Sequence, residues 1–199
     1  MRPVSAEMAQ KLMAAADLFA ERGLDDTKTE DIAAATGIPK ATIYYYFEGK
    51  EEVLSFIFGV VLDAVQEAVT GAIAGPGSAA ERLEQVVEAH LGVFAALLKA
   101  SQALHFDLGR AARIPEVAER SNASFIAPVS ALLREGVADG SFEPIADPRL
   151  TAIALLGMIS TAAIHVLALE PTDSLASLPA AITPLVLNGL RARGEGGAR

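Results

Sequence analysis

The chain has 199 residues, no cysteine and a formal net charge of −9. Hydrophobic residues make up 52% and charged residues 21%, which excludes a disordered chain and supplies a sizeable core. Without cysteine there is no disulfide and no thiolate metal site. The charge is uneven: residues 1–50 carry six Lys/Arg and eight Asp/Glu, and the remainder carries ten and seventeen. Bulk charge therefore does not draw this chain to nucleic acid, and any such contact must come from local placement. The stretch "MRPVSAEMAQKLMAAADLF" lacks the continuous apolar run of a secretory signal, so a cytoplasmic location is expected.

Helical periodicity runs the length of the chain, and no run alternates at period two between hairpin turns. The predicted class is all-α, with about nine helices. The first is predicted over 6–22, with Ser5 as N-cap, Met8, Leu12, Ala15, Ala16 and Phe19 on its apolar side, and Gly23 as C-cap. A second starts at Thr29, carries Glu30 and Asp31 where the helix dipole favours anions, and stops at Thr36-Gly37. Ile38-Pro39 makes a turn into a third helix over 40–47. A fourth spans 50–73 and ends before "GPG" at 75–77, the strongest break in the chain. Further helices are predicted over 79–101, 102–112, 115–138, 148–169 and 175–193. "ADGSF" at 138–142 is a loop, and Asp147-Pro148 pairs an N-cap with proline at the first helical position. Pro128 and Pro184 fall inside helical patterns and should kink or restart them. Residues 194–199 are expected to form a flexible tail.

Two short helices joined by a glycine-containing turn read as a helix-turn-helix. At 3.6 residues per turn, Ile43 and Phe47 lie about 40° apart and share the buried face of the third helix. Lys40, Ala41, Thr42, Tyr44 and Tyr45 then face outward, and Tyr46 is half exposed. This face suits DNA. Alanine allows close approach to a groove floor, and a threonine methyl can meet a thymine methyl. Tyrosine hydroxyls can donate to phosphate oxygens without adding charge. Lys40 and Lys50 supply cations at the two ends, and Thr29 with the amides behind it makes a further phosphate site.

The stretch "LFAERGLDDTKTEDIAAATGIPKATIYYYFEGKEEVL", residues 18–54, resembles the DNA-binding domain of the tetracycline-repressor (TetR) family. The resemblance rests on "LFAERG", "T-x-x-x-IA", "G-I-x-x-x-x-I-Y-Y-x-F" and "KEEVL", spaced as that family spaces them. It implies a helix-turn-helix domain over 1–49, then a helical ligand-binding and dimerisation domain over 50–193. It carries DNA contact onto Thr29, Lys40, Ala41, Thr42, Tyr44, Tyr45, Tyr46 and Lys50. Tyr46 replaces a frequent histidine, Glu48 a small or basic residue, and Lys28 a frequent threonine, so the operator sequence does not follow.

The resemblance further implies a homodimer through the last two long helices, reading an inverted repeat in double-stranded operator DNA. It implies a small-molecule effector held by the middle helices, with Phe94, His105, Phe106, Phe125, Met158, Thr161 and His165 as candidate lining. Phe94, Phe125 and Met158 are read as plain core ahead of pocket lining. His90, His105 and His165 lack close metal-ligand spacing, so neither metal nor cofactor is expected. The stretch 150–169 is long and apolar enough to span a bilayer. It has no basic flank after it and contains Thr151, Ser160, Thr161 and His165, so it is read as a buried helix. No nucleophile–base spacing or phosphate loop suggests catalysis. The leading reading is a repressor released from DNA by a hydrophobic or aromatic ligand. A ligand-independent or activating regulator stands beside it, and an enzyme or a membrane-anchored helical module stands further off.

Overall fold

The computed structural model describes residues 3–106, 114–169 and 177–190, with the side chains of Phe106 and of residues 167–169 outside that description. Parts of the predicted helices over 102–112 and 175–193, and the tail over 194–199, lie outside the described residues. The described residues are mostly helical. In chain order the helices are α1 (Ala6–Leu12), α2 (Ala15–Asp26), α3 (Thr29–Thr36), α4 (Lys40–Tyr46), α5 (Lys50–Ile73), α6 (Ala79–Ala96) and α7 (Leu98–Phe106). They continue with α8 (Pro115–Ser121), a π-helical turn over Asn122–Ile126, α9 (Ala127–Ala138), α10 (Pro148–Leu169) and α11 (Leu178–Leu190).

Local chemistry sets most of these limits. Ser5 caps α1, its Oγ accepting from the Met8 amide at 3.3 Å. The predicted single helix over 6–22 is two helices. The Ala14 and Ala16 amides bond three residues back, to Lys11 and Met13, so a tightened turn separates α1 from α2. Gly23 leaves helical geometry at φ 71°, ψ 178°, and Leu24–Asp26 make one further turn. Ser78 and Glu81 cap α6 reciprocally: Glu81 Oε2 accepts from the Ser78 amide at 2.8 Å, and Ser78 Oγ from the Glu81 amide at 3.3 Å. Asp147 Oδ1 accepts from the Arg149 and Leu150 amides at 2.9 and 3.0 Å, starting α10 where the sequence places it. The predicted helix over 79–101 breaks after Ala96 instead. Pro128 does not break its helix; the π-helical turn immediately before it absorbs the missing amide.

The chain divides into two compact units, Met1–Leu62 with Leu97–Arg120, and Asp63–Ala96 with Ser121–Arg199. In the first, α2 packs on α3 and α7, and α3 on α4. Its core holds Leu12, Phe19, Ile32, Ile43, Phe47 and Ile57, all essentially inaccessible. In the second, α9 packs on α6 and α10, and α11 on α6 and α10. Leu83, Phe125, Leu132 and Leu133 fill that core, and Arg82 of α6 ion-pairs with Glu135 of α9. Two described helices, Lys50–Ile73 and Pro148–Val166, are long and apolar enough to cross a membrane.

The turn between α3 and α4 depends on Gly37, the left-handed C-cap at φ 66°. A Cβ there would meet nothing within 4 Å, so any cost of adding one is purely backbone. Gly37→Ala is expected to lower stability by about 1–2 kcal/mol, and Gly37→Asn by less, because asparagine tolerates the left-handed region. Urea unfolding of the two variants side by side checks this; equal losses would refute it.

Candidate functional site

α4 has only seven residues and no side-chain N-cap. Two residues orient it. Ile43 is fully buried, and Phe47, the residue that ends the helix, is 1% exposed and meets Phe56 of α5 edge-on with ring centroids 5.8 Å apart. The opposite face lies open: Tyr44 is 50% and Tyr45 60% exposed, Lys40 and Ala41 are exposed, and Thr42 and Tyr46 are half-buried. Tyr46 stands edge-on to Tyr45 at 5.0 Å. Burial on this helix follows the wheel drawn from sequence except at Thr42, which the wheel turns outward and which is half-buried beside the core.

Three contacts tie the face to its surroundings. Thr29, at the start of α3, is buried rather than open, and Tyr44 Oη lies 3.5 Å from its Oγ1, a long hydrogen bond. The Lys40 ammonium is ion-paired with Glu30 and lies 5.7 Å from the Tyr44 ring centroid. That pairing holds the Glu30 carboxyl below its usual range and raises the ammonium of Lys40. Lys50 donates from Nζ to the Asp25 carbonyl at 2.9 Å, which ties the start of α5 to the end of α2.

The candidates for an effector site are scattered. Phe94 and Phe125 are buried together in the second unit, each against the His90 ring, with centroids 5.4 and 5.0 Å from it. Met158 is half-buried. Thr161 and His165 are exposed and lie on the face of α10 that also shows Leu150, Ile153 and Gly157, so they do not share the buried cluster. Their neighbour Ser160 does: its Oγ lies 3.2 Å from His90 Nε2. His105 belongs to the first unit and is half-buried. The side chain of Phe106 lies outside the described residues. His90 was weighed in the sequence only as a metal ligand. Its signal was a polar residue on the apolar stripe of α6, between Val87 and Phe94.

Two family models cover most of the chain. Residues 12–55 match the one described as bacterial regulatory proteins, tetR family, and residues 76–164 match a tetracyclin repressor-like C-terminal domain. The chain is 23% identical over 186 residues to the fatty acid metabolism regulator protein of Bacillus subtilis, covering 91% of this chain and 94% of that one. It is 30% identical over 145 residues to the transcriptional repressor KstR2 of Mycolicibacterium smegmatis, covering 68% and 67%. Its fold is also that of the regulator FadR of Bacillus subtilis solved with stearoyl-CoA, at a TM-score of 0.72, 22% identity and coverage of 90% and 98%.

Phe47→Ala is expected to cost about 3–5 kcal/mol in the first unit, and Tyr45→Ala less than about 0.5 kcal/mol. Thermal and urea unfolding separate the two; comparable losses would show that Tyr45 is packing rather than surface. A second expectation concerns pH. Burial alone pushes His90 from its ordinary 6.5 down to about 4. The unfolded chain then binds the extra proton first as pH falls, so this contribution is complete above pH 6.5 and is lost between about 6.5 and 4. Unfolding free energy should fall by roughly 3 kcal/mol across that window, and His90→Gln should flatten this component.

Proposed function

Because the chain belongs to the TetR family of DNA-binding transcriptional regulators, we propose that it is a cytoplasmic repressor released from its operator by a small hydrophobic ligand. The observation that carries the DNA half is the open face of α4, two exposed tyrosines backed by fully buried Ile43 and Phe47. Residues 1–49 act as the reading domain and 50–193 as the effector and pairing domain. Ala41 and Thr42 meet base edges. Tyr44, Tyr45 and Tyr46 position the helix on phosphates, as do Lys40 and Lys50. Thr29 contributes through Tyr44, whose hydroxyl it holds, and through the α3 amides behind it.

Pairing follows from the two last helices. Leu150, Ile153, Ala154, Gly157, Thr161 and His165 form an exposed stripe along α10. α11 exposes Ala181, Pro184 and Leu185, the last at 69%. Apart from Thr161 and His165 these stripes are apolar or small and suit a second copy of the chain, which also accounts for the apolarity of α10 without a membrane. Two reading helices related by a twofold axis then reach half-sites roughly 34–36 Å apart. The effector side is supported by the buried aromatic cluster around His90 and by the printed roles of the relatives, a fatty acid metabolism regulator and a complex with stearoyl-CoA. The ligand class is therefore a long apolar acyl compound or one of similar bulk. α5 starts in the first unit and ends in the second, which makes it the lever. Effector and operator must each weaken the other by the same factor.

Selection of bound fragments from random DNA tests the reading directly. An inverted repeat should enrich, and stearoyl-CoA should reduce its recovery; no enriched repeat would overturn the proposal. On the selected site, Lys40→Gln should flatten the plot of log affinity against log salt by about 0.9. Glu30→Gln, which frees Lys40, should tighten binding. An unchanged slope in Lys40→Gln would remove that residue from the phosphate contacts. Leu185→Glu should convert the dimer to monomer in sedimentation and weaken operator binding at least about tenfold; a surviving dimer would move the interface elsewhere.

A further inference from the structure

α10 is apolar enough to cross a membrane, yet most of it is not buried. Only 28% of its apolar window over Pro148–Val166 is buried, against 50% for the corresponding window of α5. The uncovered side is one stripe at helical spacing: Leu150, Ile153, Ala154, Gly157, Thr161 and His165, all exposed. Gly157 stands at its middle. Ile153 lies one turn before it and Thr161 one turn after, and Leu150 and His165 lie about two turns away on either side.

A glycine at this point needs a reason. In a helix interior it is the least favourable residue short of proline. A Cβ added at Gly157 meets nothing within 4 Å, so no described neighbour in the chain excludes alanine. Among the described residues three other helical glycines have the same free space, Gly71, Gly92 and Gly189. Gly71 lies close to the end of α5, and Gly189 adjoins Leu190, the last described residue. Gly92 is well inside α6 but stands one turn from the exposed Glu88. Of the four, Gly157 alone is both mid-helix and on an apolar open face. Glycine there serves the close approach of a backbone that the single chain does not supply.

The identity of that backbone follows from the stripe. A lipid surface gains from large apolar side chains and nothing from glycine, and it would take Thr161 and His165 into hydrocarbon. A second α10 gains directly, because the distance between two packed helices is set by the side chains at their contact. A twofold axis pairs a patch with itself, so a residue beside the axis meets its own copy. Two crossing helices come nearest at that residue and diverge on either side. The stripe has this profile: the smallest residue at its centre and the larger Leu150, Ile153 and His165 further out.

We propose that the α10 helices of two copies cross at Gly157, with the twofold axis of the dimer passing beside it. This rests on the pairing reading above and adds the register in which the copies meet.

Cysteine cross-linking on the full chain tests it. The chain has no cysteine of its own, so each introduced thiol reports one symmetric contact. Single variants Leu150→Cys, Ile153→Cys, Gly157→Cys, Thr161→Cys and His165→Cys are oxidised mildly and the covalent dimer is measured on non-reducing gels. A disulfide requires Cα atoms about 4.4–6.8 Å apart. The yield should therefore peak at Gly157→Cys and fall several-fold by Leu150→Cys and His165→Cys. In parallel, Gly157→Leu should keep the helical circular dichroism, because the monomer has room for the side chain. It should nevertheless raise the dimer dissociation constant at least about tenfold in sedimentation equilibrium. Gly92→Leu, in equally free space on α6, should leave that constant unchanged. A flat cross-linking profile, a maximum at another position, or equal loosening by Gly92→Leu would overturn the register. The pairing reading fails separately: a wild type that sediments as a monomer removes the dimer itself, whereas a wild-type dimer that does not cross-link at Gly157→Cys removes only the crossing point.

Discussion

A seven-residue helix does not hold itself together in water; nucleating one costs more than its few hydrogen bonds return. α4 therefore exists because the core of the first unit holds it. Ile43 and Phe47 are inaccessible, Phe56 meets Phe47 edge-on, and the Gly37 turn brings the helix in at the required angle. Two anchored positions one turn apart fix the rotation of the helix about its axis. Once rotation is fixed, the outward direction of Tyr44 and Tyr45 is no longer a choice. The proposed reading surface is thus the reverse side of a packing problem.

The same economy answers the charge question. The protein is acidic, yet DNA recognition needs only a local balance. On the α4 face that balance is kept low even locally, since Lys40 is engaged by Glu30 and Lys50 by the Asp25 carbonyl. The neutral donors Tyr44 and Tyr45 stand exposed there. If the proposed contacts hold, a surface that relies on hydroxyls more than ammoniums gains less from counter-ion release. It depends correspondingly more on geometry, which returns the weight to Ile43 and Phe47.

Much of the fold was legible because its punctuation is local. The bounds of α5 and α10 are those the sequence gives, since glycine, proline and an aspartate cap act within a few residues of where they stand. Two features were not legible. The break after Ala96 carries no glycine or proline, and a run of alanine and leucine permits either a continuous helix or two. The π-helical turn depends on how the amide lost at Pro128 is made good, which sequence spacing leaves open. On the site, the α4 face was readable from period alone. Thr29 was not, because a residue at a helix start becomes open or buried according to what packs over it, and here Tyr44 does.

The effector candidates show where one-dimensional reasoning stops. Thr161 and Ser160 are neighbours on α10 with the same functional group, yet one faces outward and the other reaches His90 at 3.2 Å. A helix apolar on nearly every side gives no moment to orient it, so nothing in its own sequence separates its inner face from its outer one. The partner helix supplies the missing information. α6 is amphipathic enough to declare its inner stripe, and His90 lies on it. A polar residue of α10 opposite that imidazole gives one of its two ring nitrogens a partner. Ser160 supplies it and the exposed Thr161 does not, so this polar contact in the core of the second unit is set by the two helices together rather than by either alone.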